Sequence, residues 1–285
     1  MLRASTTVLS SWSTAAFAAP LSATTDQLLT DKMDRKLVLP RLLRDPAVAL
    51  IGDKCYTSLI ENLQLFHDID CLKYAISKGL GFGIVLGGSI VKIPQIITIL
   101  SSGSAQGLSL ASYYLETFSC AISLAYNFRQ GNPFSTFGET FFLTVQNVII
   151  TLMILYYAGQ KSLLAASAVG FFLVFQALSS QTLVPSNVMS ILYAATIPLT
   201  LSSKIPQIYT NFKNSSTGQL SIFAVFNYFL GSTARVFTTM TELNDPLMLA
   251  GNVLAATFNG ILAIQVIVYW GKKSERVSAK PGKAD

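Results

Sequence analysis

Between residues 79 and 270 the chain runs through seven apolar segments, at 79–100, 109–128, 137–158, 162–180, 187–210, 220–240 and 247–270, joined by short loops of Ser, Gly, Asn and Pro. A hydrocarbon core of about 30 Å is crossed by about 20 helical residues. Backbone inside lipid must satisfy its own hydrogen bonds, so segments of this length are read as helices. Seven in succession leave no polar faces for water. Composition agrees, with 51% hydrophobic and 12% charged residues, about half the charge a soluble domain carries. The expected fold class is an all-α membrane protein with seven transmembrane helices.

The flanks differ from this body. Residues 1–25 hold one Arg and no acid, which fits a cleaved signal, a transit peptide or a disordered extension. Residues 26–78 are normally charged and form an N-terminal extramembrane segment. Within it, Tyr56, Leu59, Ile60, Leu63 and Phe66 recur at helical spacing after Asp53, a potential N-cap. A short amphipathic helix is expected there, lying on the membrane or against a bundle end. Residues 272–285 are a basic tail containing Lys272, Lys273, Arg276, Lys280 and Lys283. The net charge of +6 forms no basic patch on a polar domain, so nucleic acid is not an expected partner. Across seven spans the tail shares its side with Lys161 and Lys213, whereas Arg129, Glu242 and Asp245 lie opposite. The positive-inside rule makes the tail side cytosolic and the N-terminal side lumenal or extracellular. Cys55 and Cys71 could pair if their side is oxidising.

The body is internally duplicated. Lys92-Ile93-Pro94-Gln95-Ile96 recurs as Lys204-Ile205-Pro206-Gln207-Ile208, 112 residues later. At the same offset Thr98 meets Thr210, Ser109 meets Ser221, and Asn147 meets Asn259. Residues 79–158 and 187–271 are therefore read as two three-helix repeats, with 159–186 as a linker helix. Three spans end on the opposite side from where they began, and one added helix restores the starting side. The two units then run parallel, in a 3+1+3 order.

Paired Pro-Gln dipeptides in a 3+1+3 pattern resemble the PQ-loop superfamily, which includes the SWEET sugar transporters and cystinosin. An ordered set of further motifs narrows the resemblance: Ser77-Lys78-Gly79-Leu80-Gly81, Pro133-Phe134-Ser135, Thr217-Gly218-Gln219-Leu220-Ser221, Ala234-Arg235-Val236-Phe237-Thr238 and Asp245-Pro246-Leu247-Met248. Together they are similar to the mannose-P-dolichol utilization defect 1 family, over about residues 53–271. The resemblance implies a multi-pass endoplasmic-reticulum protein needed for using mannose-P-dolichol and glucose-P-dolichol in N-glycan and GPI-anchor assembly. Membrane lipid, dolichol-phosphate sugars and glycosyltransferases are the implied partners. Fold analogy alone gives a second reading, a SWEET-like facilitator of sugars or other small solutes.

Several residues could carry that chemistry. Pro94 and Pro206 each remove a backbone donor and bend their helix, so Pro94-Gln95 and Pro206-Gln207 read as paired hinges or as shapers of the bundle. Lys92, Lys204, Glu116 and Arg235 are charges inside spans, where each costs at least about 2.5 kcal/mol on insertion scales and must pair, face protein or snorkel. Lys92, Lys204 or Arg235 could meet a lipid phosphate, with Glu116 as an internal counter-ion. Asn147 and Asn259 could meet sugar hydroxyls, with Gln146 as a further pocket residue, or could bond between helices. Asn259 aligns with an Asn that SWEET transporters use for sugar. His67 is the only histidine and lies outside the spans, so no histidine triad or multi-histidine metal site is expected within the bundle. The chain is read as a non-enzyme without cofactor or metal.

Overall fold

A computed structural model describes residues 39–217 and 221–270. The extension at 1–25 and the basic tail lie outside the described residues. Within them the secondary structure is helical, with no strand.

The chain divides after Cys71 into two compact units. In the first, helix α1 spans Arg41–Tyr56 and continues into a π-helical turn, Thr57–Glu61. Gly52 breaks α1 with φ 80° and ψ 157°, a conformation nearly confined to glycine, so a new helical stretch begins at Asp53. The expected apolar face is shorter than its spacing implied. Tyr56 and Leu59 are buried, but the helix stops at Glu61, Leu63 turns out with φ 52°, and Phe66 is 87% exposed. Asp53 does not cap; its carboxylate lies 3.7 Å from Arg44, which also approaches Glu61 and the Tyr56 ring. A Cys55–Cys71 disulfide closes this unit.

The second unit is built from α2 (Ile69–Ile90), α3 (Ile93–Ser102), α4 (Leu110–Arg129), α5 (Phe134–Tyr157), α6 (Lys161–Ser179), α7 (Ser186–Leu201), α8 (Lys204–Asn214), α9 (Ile222–Glu242) and α10 (Pro246–Val268). The first helix starts well before residue 79, because Asp70 in its first turn complements the helix dipole. Each Pro-Gln segment opens a helix rather than bending one. The Pro94 ring would clash with the carbonyl of Ile90, and α2 ends at Ile90; Pro206 bears likewise on Ser202, just past the end of α7. Past each break the proline sits in a first helical turn, where its missing N–H costs nothing.

Five segments among the described residues are long and apolar enough to cross a membrane: Ile69–Ser102, Phe134–Tyr157, Lys161–Ser179, Ser186–Asn214 and Pro246–Val268. Helices α4 and α9 have 20 and 21 residues, but their apolar runs are interrupted by Glu116, Arg235, Glu242 and several hydroxyls. They are the polar helices of the bundle. Each is capped by a repeat-related serine: Ser109 accepts from the Ser112 N–H and Ser221 from the Ala224 N–H.

Packing follows the duplication. Helix α4 lies on α5 as α9 lies on α10, and α3 touches α5 as α8 touches α10. The linker α6 packs on α4 and α5. Across the copies, α4 meets α7 and α5 meets α9. One core cluster joins Ala121, Ala125 and Tyr126 of α4 to Leu178, Met189, Tyr193 and Met248. The Tyr126 and Tyr193 rings stack at 4.2 Å, and the Tyr126 hydroxyl donates to Asp245 at 2.7 Å.

Candidate functional site

A cavity of about 560 Å³ opens among α4, α5, α7, α9 and α10. Its polar walls include Asn127, Glu139, Tyr193, Thr196, Arg235 and Asn252. Arg235 of α9 reaches across to α5, donating to the Glu139 carboxylate at 2.8 Å and to the Thr136 carbonyl at 2.6 Å. A guanidinium forks naturally onto such planar acceptors. Glu139 reaches this position because α2 presents Gly88 to it: a Cβ at 88 would lie 2.6 Å from the Glu139 Cγ and 3.0 Å from its Cα. The cavity thus carries a neutral ion pair beside amides and hydroxyls, able to orient a polar, hydroxyl-bearing group.

About two turns beyond Arg235 on α9 lies a second, more deeply buried pair. Lys78 of α2 and Glu242 of α9 meet at 2.6 Å, with side chains 8% and 1% exposed. Ser77 donates to one Glu242 oxygen at 2.6 Å and Ser135 to the other at 2.9 Å, while Lys78 also donates to Ser135. Every charge in this cluster is answered by more than one partner, as a buried pair requires. Neither Lys78, Glu242 nor Glu139 is a residue the sequence analysis assigned to a site. Lys78 and Glu242 lie 164 positions apart and share no repeat register, so no local signal joins them.

The cations singled out in the sequence separate. Lys92 lies at the α2–α3 break, 2.6 Å from Glu116 and over the Tyr113 ring at 5.1 Å. Lys204, its repeat partner, lies over the Tyr228 ring at 4.7 Å. With Gln207, Ser221 and Asn259 it lines a smaller cavity of about 90 Å³. Gln95 is half-buried on α3. Asn147 is wholly buried, its amide reaching only the Cys120 sulfur at 3.8 Å. The Asn259 amide donates to the Tyr228 carbonyl and the Ser232 hydroxyl. The side-chain oxygens of both asparagines are buried without a partner.

Gln146 is buried and bonded to backbone. Its amide donates to the carbonyls of Gly88, Ser89 and Phe142, and its oxygen accepts from the Lys92 N–H at 2.9 Å. It fills the backbone gap that the helix break leaves, since freed polar groups in lipid must be answered by protein. Adjacent helical residues point about 100° apart, so a neighbour of Asn147 faces elsewhere.

A third cavity, of about 380 Å³, is apolar and lies among α4, α5 and α6, walled by Phe118, Phe141, Phe171, Phe172 and Phe175.

Comparison with known proteins accords with this duplicated architecture. The PQ-loop family, described as the PQ loop repeat, matches residues 76–136 and 188–248, two stretches offset by the same 112 residues. The human protein solute carrier family 66 member 3 is 27% identical over 182 residues, covering 63% of this chain and 87% of its own length. No solved structure matches the chain. The chain is thus similar to PQ-loop membrane proteins, with two copies of the repeat and multiple apolar helices of membrane-spanning length.

Proposed function

We propose that this protein is a non-enzymatic, multi-pass protein of the endoplasmic-reticulum membrane that enables use of mannose-P-dolichol and glucose-P-dolichol in N-glycan and GPI-anchor assembly, by presenting or reorienting the lipid donor. The observation that carries the proposal is the cavity between helices of both copies, with amides and hydroxyls among its wall residues and the Arg235–Glu139 pair within it. Sugar hydroxyls suit its amides and carboxylate, and the phenylalanine-walled cavity beside α6 suits a hydrocarbon chain. The ordered motifs over residues 53–271 support the choice of donor. In this reading α4 and α9 also cross the membrane, giving seven spans in 3+1+3 order. The Cys55–Cys71 bond supports a lumenal N-terminal side, leaving the C-terminus cytosolic, and glycosyltransferases are the partners that would receive the donor.

The test is the set of lipid-linked oligosaccharides in cells lacking the protein. Truncated precursors, restored by the wild-type chain and not by Arg235→Ala, are expected; complete precursors with normal donor use would sink the proposal. The name of the human solute carrier relative favours a second reading, a facilitator of sugars or other small solutes. Proteoliposome uptake of free hexoses separates the two.

A further inference from the structure

The 112-residue offset sets the two seams between the copies side by side. On one, where α2 and α5 meet α9, stand Ser77, Lys78, Ser135 and Glu242; their counterparts on the other are Met189, Ser190, Leu247 and Gln130. Gly81 and Thr238 likewise correspond to Tyr193 and Tyr126. The second seam is therefore dry. Met189, Tyr193 and Tyr126 belong to one buried apolar cluster, with Leu247 packed against it and the two rings stacked at 4.2 Å. The first seam holds a buried ion pair and two hydroxyls instead. One repeated backbone closes equivalent places in two ways, so the fold itself does not demand charge there.

The polar seam shuts one end of the central cavity. Glu242 ends α9 and Ser135 lies in the first turn of α5. Asn127, Thr136 and Met248, which line the cavity at that end, are 2%, 4% and 7% exposed. At the opposite end the lining comes from the second copy alone, and Thr200 of α7 with Asn227 and Tyr228 of α9 are exposed there. The cavity thus has a mouth at the Tyr228 end and a floor at the Glu242 end. Parting the dry seam would bring its packed rings and aliphatic chains into water. Parting the polar seam exposes groups whose bonds water can take over, and a buried ion pair gains little over its solvated members. Gly81 keeps α2 against the start of α5, where an added Cβ would lie 2.8 Å from the Ser135 carbonyl, so these two helices move as one body.

We propose that Ser77, Lys78, Ser135 and Glu242 form a gate at the floor of the central cavity, opened when α9 swings away from α2 and α5 about the α4–α7 seam as its pivot. In this structure the gate is shut, and a ligand reaches Arg235 and Glu139 from the Tyr228 end. Opening it turns a dead-ended cavity into a passage. The gate goes beyond the proposed function and shares with it only the seven spans.

The experiment places a reporter in the cavity, Ala255→Cys in a Cys120→Ala background. Ala255 lines the cavity from α10, and Cys55 and Cys71 are bonded to each other. Labelling by a membrane-impermeant maleimide is timed from each face of sealed vesicles holding the full chain. Labelling from the Tyr228 face is expected to be about tenfold faster, or more, than from the Glu242 face, as a gate populated mainly in its shut state implies. Glu242→Gln, which loses the ion pair, should raise the Glu242-face rate about tenfold while labelling from the Tyr228 face persists. The milder pair Ser77→Ala with Ser135→Ala should raise it severalfold. Lys78→Met with Glu242→Leu gives this seam the apolar character of the other and should hold it shut. Equal labelling from both faces with the gate unaltered, no labelling from the Tyr228 face, or no rise in either Glu242→Gln or the serine pair overturns the gate. Normal oligosaccharide precursors in cells lacking the protein would instead defeat the proposed role and leave the gate standing.

Discussion

The two copies of the repeat agree in how their helices start and stop and differ in where they carry charge. Ser109 and Ser221 cap equivalent helices, and each first helix breaks ahead of its Pro-Gln pair. Yet Glu116 corresponds to Tyr228, Gln146 to Phe258, Glu139 to Gly251, and Arg235 to Ser123. Both ion pairs that tie α9 to the first copy take their basic and acidic members from different copies. At the mirrored positions stand Ser190 and Gln130 for Lys78 and Glu242, so the opposite seam has no counterpart. Duplication has kept the backbone and released the charges, which now distinguish one seam from the other.

That contrast can be broken by substitution. The largest effect is expected at the buried pair, where Lys78→Ala or Glu242→Ala strands a charge and should lower stability by about 3–5 kcal/mol. Thermal unfolding of the purified protein measures it, and the double variant Lys78→Met with Glu242→Leu should recover most of the loss. If the double variant is no better than the singles, the charges are not what couples α2 to α9. Next, Glu139→Ala leaves Arg235 only carbonyl partners and should cost about 1.5–3 kcal/mol, the range for hydrogen bonds to charged groups. Changing the mirrored Gly251 to Glu should bring no compensating gain.

Smaller still is the helix break. Gln146→Leu removes the partners of the Lys92 N–H and the Gly88 carbonyl, an expected loss of about 1–2 kcal/mol, whereas Phe258→Leu in the second copy should leave hydrogen exchange at the α7–α8 break unchanged. Equal exchange at both breaks in Gln146→Leu would show that the glutamine does not hold the first. The smallest effect is predicted for Asn147→Leu. Its oxygen is unpartnered and its amide meets only a sulfur, and exchanging a poorly satisfied buried amide for an apolar group of similar shape is nearly neutral, within about 1 kcal/mol. Asn259→Leu should cost more, about 1–2 kcal/mol, because its amide donates to the Tyr228 carbonyl and the Ser232 hydroxyl.

These partnerships also mark how far the sequence could be read. Apolar length and the Pro-Gln register are local signals, so the helices and the duplication were legible in one dimension. Lys78 with Glu242 and Glu139 with Arg235 join elements far apart in the chain and unrelated by the offset, and their pairing depends on how the copies pack. The backbone bonds of Gln146 were hidden for a different reason: they answer groups freed by a helix break 54 to 58 positions away. Leu63 and Phe66 misled because periodicity cannot see a helix that stops at Glu61. Apolar length alone made α4 and α9 read as spans, but their hydroxyls and charges keep them out of the five segments long and apolar enough to cross a membrane.

Gly88 has a consequence beyond tight packing. With any side chain at this position the Glu139 carboxylate would be pushed from its seat against α2, and Arg235 would face the central cavity with carbonyls alone to answer it. The cavity would pass from electrically balanced to positive. The sign of charge on the cavity wall is therefore set by a residue with no side chain, on a helix that contributes no charge to the cavity.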